Sequence, residues 1–313
     1  MLKAFLGILA FYLIYLMIRS RTQGEFQAFI ALFKKKQIYG VLIIAFILMI
    51  LNWWVEALKW KFLVTKVERI SLRKSCESLL AGLNLAIFTP ARIGEYGGRI
   101  LYLKPENRKK GILCILVGNF AQLMVTLILG SVGGFFWVKA FIPLNPFFLF
   151  GLGFLLSGLS ACFLIAYYRI GKLINLFNRI PFLKKFANSL LVLEEFSKKE
   201  LSGALVFSLI RYGLFSNQYL VLLFALLGYH SYGLSLSCLS LILLTQSIIP
   251  SFVLADMGIR GVTSIYFFSF VFGKQNIIPI LATAFYIWLV NIIFPAILGI
   301  FYVLKVKEPF GHR

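Results

Sequence analysis

Six stretches of this chain are apolar for close to, or beyond, the roughly 20 residues that a helix needs to cross the hydrocarbon core of a bilayer. They are Leu2–Ile18, Ile38–Leu58, Gly111–Val138, Pro146–Tyr168, Gly203–Gly228 and Ile277–Leu304. Lipid offers backbone amides no partner, so such stretches fold as helices rather than open strands. Composition agrees: 60% of the 313 residues are hydrophobic and 14% charged, against about 25% charged in soluble domains. The expectation is an all-α, polytopic integral membrane protein, a single transmembrane domain over residues 1–313 with no soluble catalytic domain. Met1–Arg21 lacks a small-residue cleavage site before Arg19 and reads as a retained span.

A formal charge of +21 raises the question of nucleic acid. The Lys and Arg residues cluster in short connections between apolar runs, where the positive-inside bias and anionic headgroups account for them. No basic tail interleaved with aromatics stands apart, so no nucleic-acid partner is expected. Cys76, Cys114, Cys162 and Cys238 lie scattered in apolar segments without CxxC spacing, and His230 and His312 have no ligand neighbours. Neither a metal nor a cofactor is expected.

Three connections carry most of the basic charge: Lys59–Lys74, Ala91–Lys110 and Arg169–Ser202. Ile142–Asn145 and Tyr229–Ser235 carry none. Placing the basic connections and the C-terminus in the cytoplasm leaves Ser75–Thr89 between two cytoplasmic segments. It is short for a span and ends at Pro90, so a re-entrant hairpin fits it, with a full span as the alternative. Arg19–Lys36 falls on the outside in this scheme despite its five basic residues. Within the third connection, Lys172–Lys199 reads as an amphipathic basic stretch on the cytoplasmic leaflet. Near the C-terminus, Leu236–Ile249 and Val262–Phe272 flank a polar piece, Pro250–Gly261, which reads as irregular. This second broken hairpin would enter from the opposite face.

The two breaks share a pattern. Glu95-x-Gly97-x-Arg99 follows Pro90 and Gly94, and Asp256-x-Gly258-x-Arg260 follows Pro250. Proline removes a donor and glycine admits unusual dihedrals, so each suits an unwound backbone between half-helices. Broken helices at corresponding places in two oppositely oriented halves, an inverted repeat, mark the substrate site of many transporters. Glu95 and Asp256 are expected to pair with Arg92, Arg99 or Arg260, or to carry a proton, or simply to lock each hairpin. Arg211 and Gln218 share a face of one apolar run, and an intramembrane Arg is a functional candidate with a shape suited to phosphate, with snorkelling of Arg211 to the cytoplasmic interface as the alternative. Asn119, Gln122 and Thr126 read as interhelical hydrogen-bonding groups. Trp53, Glu56 and Trp60 read as interfacial anchors.

With these pieces in view, the chain resembles the flippase-like family typified by the lysylphosphatidylglycerol synthase transmembrane region. The resemblance runs through NWWVEALKWKFL (Asn52–Leu63), FTPARIGEYGGRILYL (Phe88–Leu103), RYGLFSNQ (Arg211–Gln218) and IPSFVLADMGIRG (Ile249–Gly261), in order. The TPxRxGE-type stretch is its most specific part. The second landmark departs from the commoner PGGxGxxE pattern, with Asp256 ahead of Gly-x-Arg. The resemblance implies a membrane carrier for an anionic phospholipid or polyprenyl-phosphate-linked molecule, in a bacterial inner membrane. Arg92, Glu95, Arg99, Arg211, Gln218, Asp256 and Arg260 would meet the headgroup. The alternative is a membrane-embedded enzyme, or the membrane partner of one, for glycosyl or acyl transfer to a lipid-linked substrate. No HxxxxD, HExxH, GxSxG or Walker pattern supports it. The synthase resembles a fusion of this region to a soluble aminoacyl-transferase; here the last apolar run ends at Leu304 and the chain at Arg313, so aminoacyl transfer is not expected.

Overall fold

The structure, a computed structural model, describes residues 38–89, 92–169, 196–249 and 253–305, with a few positions between 27 and 36. The expected span Leu2–Ile18, most of Arg19–Lys36, most of Lys172–Lys199, and Pro90 and Pro250 lie outside these residues. Among the described residues the chain is helical, with no strand. The helices are α1 (Ile38–Val64), α2 (Leu72–Ile87), α3 (Ile93–Ile100), α4 (Arg108–Phe141), α5 (Pro146–Tyr168), α6 (Lys198–Leu227), α7 (Tyr232–Ile248), α8 (Val253–Phe272), α9 (Ile277–Trp288) and α10 (Phe294–Leu304). Helices α1, α4, α5, α6 and the α9–α10 pair are long and apolar enough to span a membrane. They match five of the six apolar runs.

Helix α1 shows how lipid inverts the usual packing rule. Ile43, Ile47, Ile50 and Trp54 are exposed, while Asn52, Glu56 and Lys59 are buried. Bilayer tails take the apolar face, and the polar stripe turns inward to other polar groups. Helix α5 is the extreme case, with Tyr167 its only buried residue. It is held to the start of α6 by Tyr167 Oη–H donating to the Leu201 carbonyl at 2.9 Å and by the Tyr168–Ser202 hydroxyl pair at 2.8 Å.

Helices α2 and α3 form a tight hairpin. Ser71 caps α2 by accepting from the Lys74 amide at 3.2 Å. The chain reverses between α2 and α3, and Arg92 takes the left-handed φ of 59° that non-glycine residues rarely adopt. Thr89 staples the turn, its hydroxyl donating to the Leu85 carbonyl and accepting from the Gly94 amide at 2.7 Å. A Cβ on Gly98 would lie 2.3 Å from Gly82 Cα, and one on Gly94 would lie 2.2 Å from the Leu85 oxygen. These glycines are therefore required for close approach rather than for special dihedrals, and no Cβ contact constrains Gly97. The unwound backbone expected at Glu95-x-Gly97-x-Arg99 is thus a helix, with the break confined to the turn before it.

The second motif is corrected in the same direction. Val253–Phe272 is one continuous helix, so Asp256-x-Gly258-x-Arg260 is helical and Val262–Phe272 is not a separate short piece. Side-chain pairing of Asp256 with Arg260 one turn on, at 3.3 Å, suits a helix, and burial of Ile259, Ile265 and Phe268 offsets the poor helix propensity of Gly258 and Gly261.

The two hairpins open on opposite faces. Glu68, between α1 and α2, accepts from the Lys104 amide at 2.9 Å and from Asn107 Nδ2 at 3.0 Å, so both basic connections lie side by side. Lys66–Glu200 at 3.0 Å brings the start of α6 to that face, and Lys305–Glu77 at 3.4 Å the end of α10. At the other face, Phe272 at the end of α8 stacks near Phe224 of α6 and His230. The apices meet inside: Ile87 packs with Val253, Met257, Trp288 and Ile292.

Between α9 and α10 the helix widens into a π-turn, Leu289–Ile293. Pro295 has no N–H for the Asn291 carbonyl four residues back, and the Trp53 indole donates to that oxygen at 3.2 Å. Asn84 Nδ2 donates to the Ala296 carbonyl at 3.0 Å, and Gly299 lies against the Leu80 backbone.

Replacing Gly98 with Val should lower the melting temperature in detergent, because overpacking a backbone contact costs about 1–3 kcal/mol. Gly97→Ala should leave it unchanged or raise it. A second expectation concerns Glu68. Burial disfavours its charge, but the bonds from Asn107, the Lys104 amide and Lys74 outweigh this and hold its carboxyl below the usual range. A lowered folded-state pKa stabilises above the unfolded value and is lost as pH falls through the folded one. Glu68→Gln should therefore melt roughly 2 °C below wild type at pH 7. The gap should close on acidification below the ordinary carboxyl range.

Candidate functional site

The polar stripe of α1 is organised by Glu56, which is 2% exposed. Its two oxygens hold three cations: Lys59 Nζ at 2.8 Å, Arg211 Nη1 of α6 at 2.6 Å and Arg99 Nη1 of α3 at 3.0 Å. Arg99, 3% exposed, also binds Glu95 of its own helix, and Arg92 reaches Glu95 at 3.7 Å. Lys59 continues to the Gly118 carbonyl at 3.4 Å and the Ser208 hydroxyl at 3.5 Å. Arg211 donates to Asn52 Oδ1 at 3.2 Å and Gln122 Oε1 at 3.5 Å. Tryptophans cover the guanidinium groups: Arg99 lies 5.9 Å from the Trp60 centroid and Arg211 5.4 Å from that of Trp53.

In their ordinary ionic forms, four cations (Lys59, Arg92, Arg99, Arg211) surround two carboxylates (Glu56, Glu95), an excess of two positive charges. Arg211 and Arg92 are the accessible members, with side chains 17% and 38% exposed. Guanidinium groups that keep open donors beside a charge surplus can take a phosphate oxygen pair.

Of the residues singled out in the sequence, Arg92, Glu95, Arg99 and Arg211 come together here. Asp256 and Arg260 form a second pair, joined by Gln246 Nε2 donating to Asp256 Oδ1 at 3.3 Å. Arg260 stacks 5.5 Å from Phe215, one turn from Arg211, so Phe215 links the two clusters. Gln218 belongs to neither. It is fully buried, donating to the Ala45 carbonyl at 2.9 Å and accepting from Asn291 of the π-turn at 3.1 Å, which makes it an interhelical lock.

Glu56 and Lys59 were missed as site residues. The sequence groups Glu56 with Trp53 and Trp60 as interfacial anchors and Lys59 with a basic connection; burial of Glu56, Lys59 and Trp60 rules out that belt. The usable signal was a carboxylate inside an uninterrupted apolar run. Asn119 joins the site through its donation to the Tyr96 hydroxyl at 2.9 Å.

Glu56→Gln leaves three cations around a neutral amide. Breaking a buried ion pair costs about 3–5 kcal/mol, so folded yield on size-exclusion chromatography should fall sharply. Asp256→Asn, which strips a single partner from a more exposed pair, should fall less.

A model of the family described as the lysylphosphatidylglycerol synthase TM region matches residues 2–299. No curated protein matches the chain.

Proposed function

The chain belongs to the lysylphosphatidylglycerol synthase transmembrane-region family, a membrane family tied to lipid handling, and from that premise we propose that it carries an anionic lipid across the bilayer. The substrate class is a phospholipid or a lipid-linked phosphate. The observation that carries this reading is the cationic surplus around Glu56 and Glu95, with Arg211 and Arg92 its accessible members. An uncompensated charge inside a membrane is expensive and is retained where it serves a ligand or an ion. A phosphate brings the missing negative charge.

In this reading the carboxylates hold the guanidinium groups in place while no lipid is bound. The headgroup then binds Arg211 and Arg92 from their open side, as the carboxylates keep Arg99 and Lys59 fixed behind them. Asp256 and Arg260 are the corresponding pair on the hairpin that opens on the other face. The apposed apices at Ile87 and Val253 are the barrier between the two faces. The basic connections face the cytoplasm of a bacterial cell, following their charge. No observation favours group transfer over carriage, because the carboxylates of the cluster are engaged by cations rather than by a nucleophile.

The test is a vesicle assay in which a membrane-impermeant reductant bleaches fluorescent anionic lipid as it reaches the outer leaflet. Vesicles holding the full chain should bleach beyond the outer-leaflet half, and Arg211→Gln should slow this about tenfold or more, the worth of one charge-assisted hydrogen bond. Wild-type bleaching at the protein-free rate would reject carriage.

A further inference from the structure

Apart from the ion-pair cluster, α4, α6 and α7 enclose a groove of about 840 Å³. It lies toward the face opposite the basic connections, between the last part of α4, the middle of α6 and the first turns of α7. Its rim is apolar, with Val132, Phe136 and Leu209 exposed. Its floor is made of hydroxyl groups. Tyr212 donates to Ser240 Oγ at 2.8 Å, Ser240 to the Leu236 carbonyl at 2.8 Å, and Ser237 to the Gly233 carbonyl at 2.9 Å.

Those three protons are engaged, so Tyr212, Ser237 and Ser240 offer oxygen lone pairs, acceptors for a ligand that donates. Ser216, 2% exposed, also lines the groove, and its hydroxyl has no partner among the described residues. A buried hydroxyl left without a hydrogen bond is costly and calls for an occupant that supplies one. Lys139 stands at the mouth, and no Asp or Glu lines the groove. Among the described residues no carboxylate pairs with Lys139.

We propose that this groove is a second lipid site, which takes a glycerophospholipid whose headgroup carries both a phosphate and free hydroxyl groups. The phosphate lies against Lys139, the headgroup hydroxyls donate to the serine oxygens, and the acyl chains leave past Phe136 and Leu209 into the bilayer. Charge and hydrogen-bond polarity select together. A cationic headgroup meets Lys139 unfavourably, and a bare phosphate can take the Ser216 proton but has no hydroxyl to donate to the Ser237 and Ser240 oxygens. The site rests on the lipid-handling reading but requires no transport, since it is a matter of occupancy alone.

Photoactivatable phosphatidylglycerol, phosphatidic acid and phosphatidylcholine, each presented to the full chain in vesicles, test this by mapping the labelled peptides. Phosphatidylglycerol should label residues 209–217 or 231–240 at least about fivefold above the other two, the yield of roughly one net hydrogen bond. Gly213 lines the groove, and a Cβ there meets open space. Gly213→Leu should therefore fill the groove and abolish the label while leaving the melting temperature intact, and Ser216→Ala should weaken it severalfold. Lys139→Gln should lower labelling by both anionic probes and leave phosphatidylcholine unchanged. Equal labelling by all three lipids, label that persists in Gly213→Leu, or no label because another segment of the chain fills the groove would each overturn the assignment. Label without lipid exchange in the vesicle assay would count against carriage and leave this site standing; exchange without label would do the reverse.

Discussion

The architecture depends on one carboxylate held out of water. Glu56 ties three helices together through Arg99, Arg211 and Lys59, and in a medium that provides no counter-ions none of these groups can be satisfied separately. Apolar contacts between helices gain little in lipid, whose tails are as greasy as leucine. Specific polar pairing and close backbone approach must then define which helix meets which. The Glu56 cluster supplies the first in the half built from α1, α3 and α6. The glycine contacts of α2 with α3 and α10 supply the second. A pair of this kind is weak evidence for added stability; it bears on arrangement, since misregistered packing strands a charge.

The hairpins translate that selection into two faces. Their apices pack against one another at Ile87, Val253 and Met257, and the tryptophan indoles tie this junction to both sides: Trp288 to the Val253 carbonyl at 3.0 Å, Trp53 to the π-turn. Phe215, beneath Arg260 and one turn from Arg211, bridges the two charged clusters. The cation–π contacts place guanidinium groups against aromatic faces, which lowers the cost of keeping them away from water.

The spans were legible because length and hydropathy are one-dimensional properties: Pro146–Tyr168 and Ile277–Leu304 begin and end where the apolar runs do. The helix–break–helix shape of Ser75–Arg99 was legible too, since Pro90 and the glycines interrupt the pattern. What failed was the local state of the motifs. Gly94 and Gly258 suggest irregular backbone in the sequence, whereas close backbone approach in the first case and burial of Ile259, Ile265 and Phe268 in the second keep the chain helical. Glu56 was misjudged for a related reason. Whether a Trp-flanked acid faces a headgroup layer or a protein interior depends on what packs against it, and Arg99 and Arg211 are 43 and 155 positions away.

The π-turn at Leu289–Ile293 sets the azimuth of everything after it. One residue more or less in a helix rotates all later side chains by about 100°. With the widened turn in place, the Ala296 carbonyl points at Asn84 and Gly299 at Leu80. Were it to tighten to ordinary helix, those marks would swing away from the hairpin together. The bulge therefore works like a keyway: it admits the closing helix in one angular position, and the first hairpin is gripped only when that position is met.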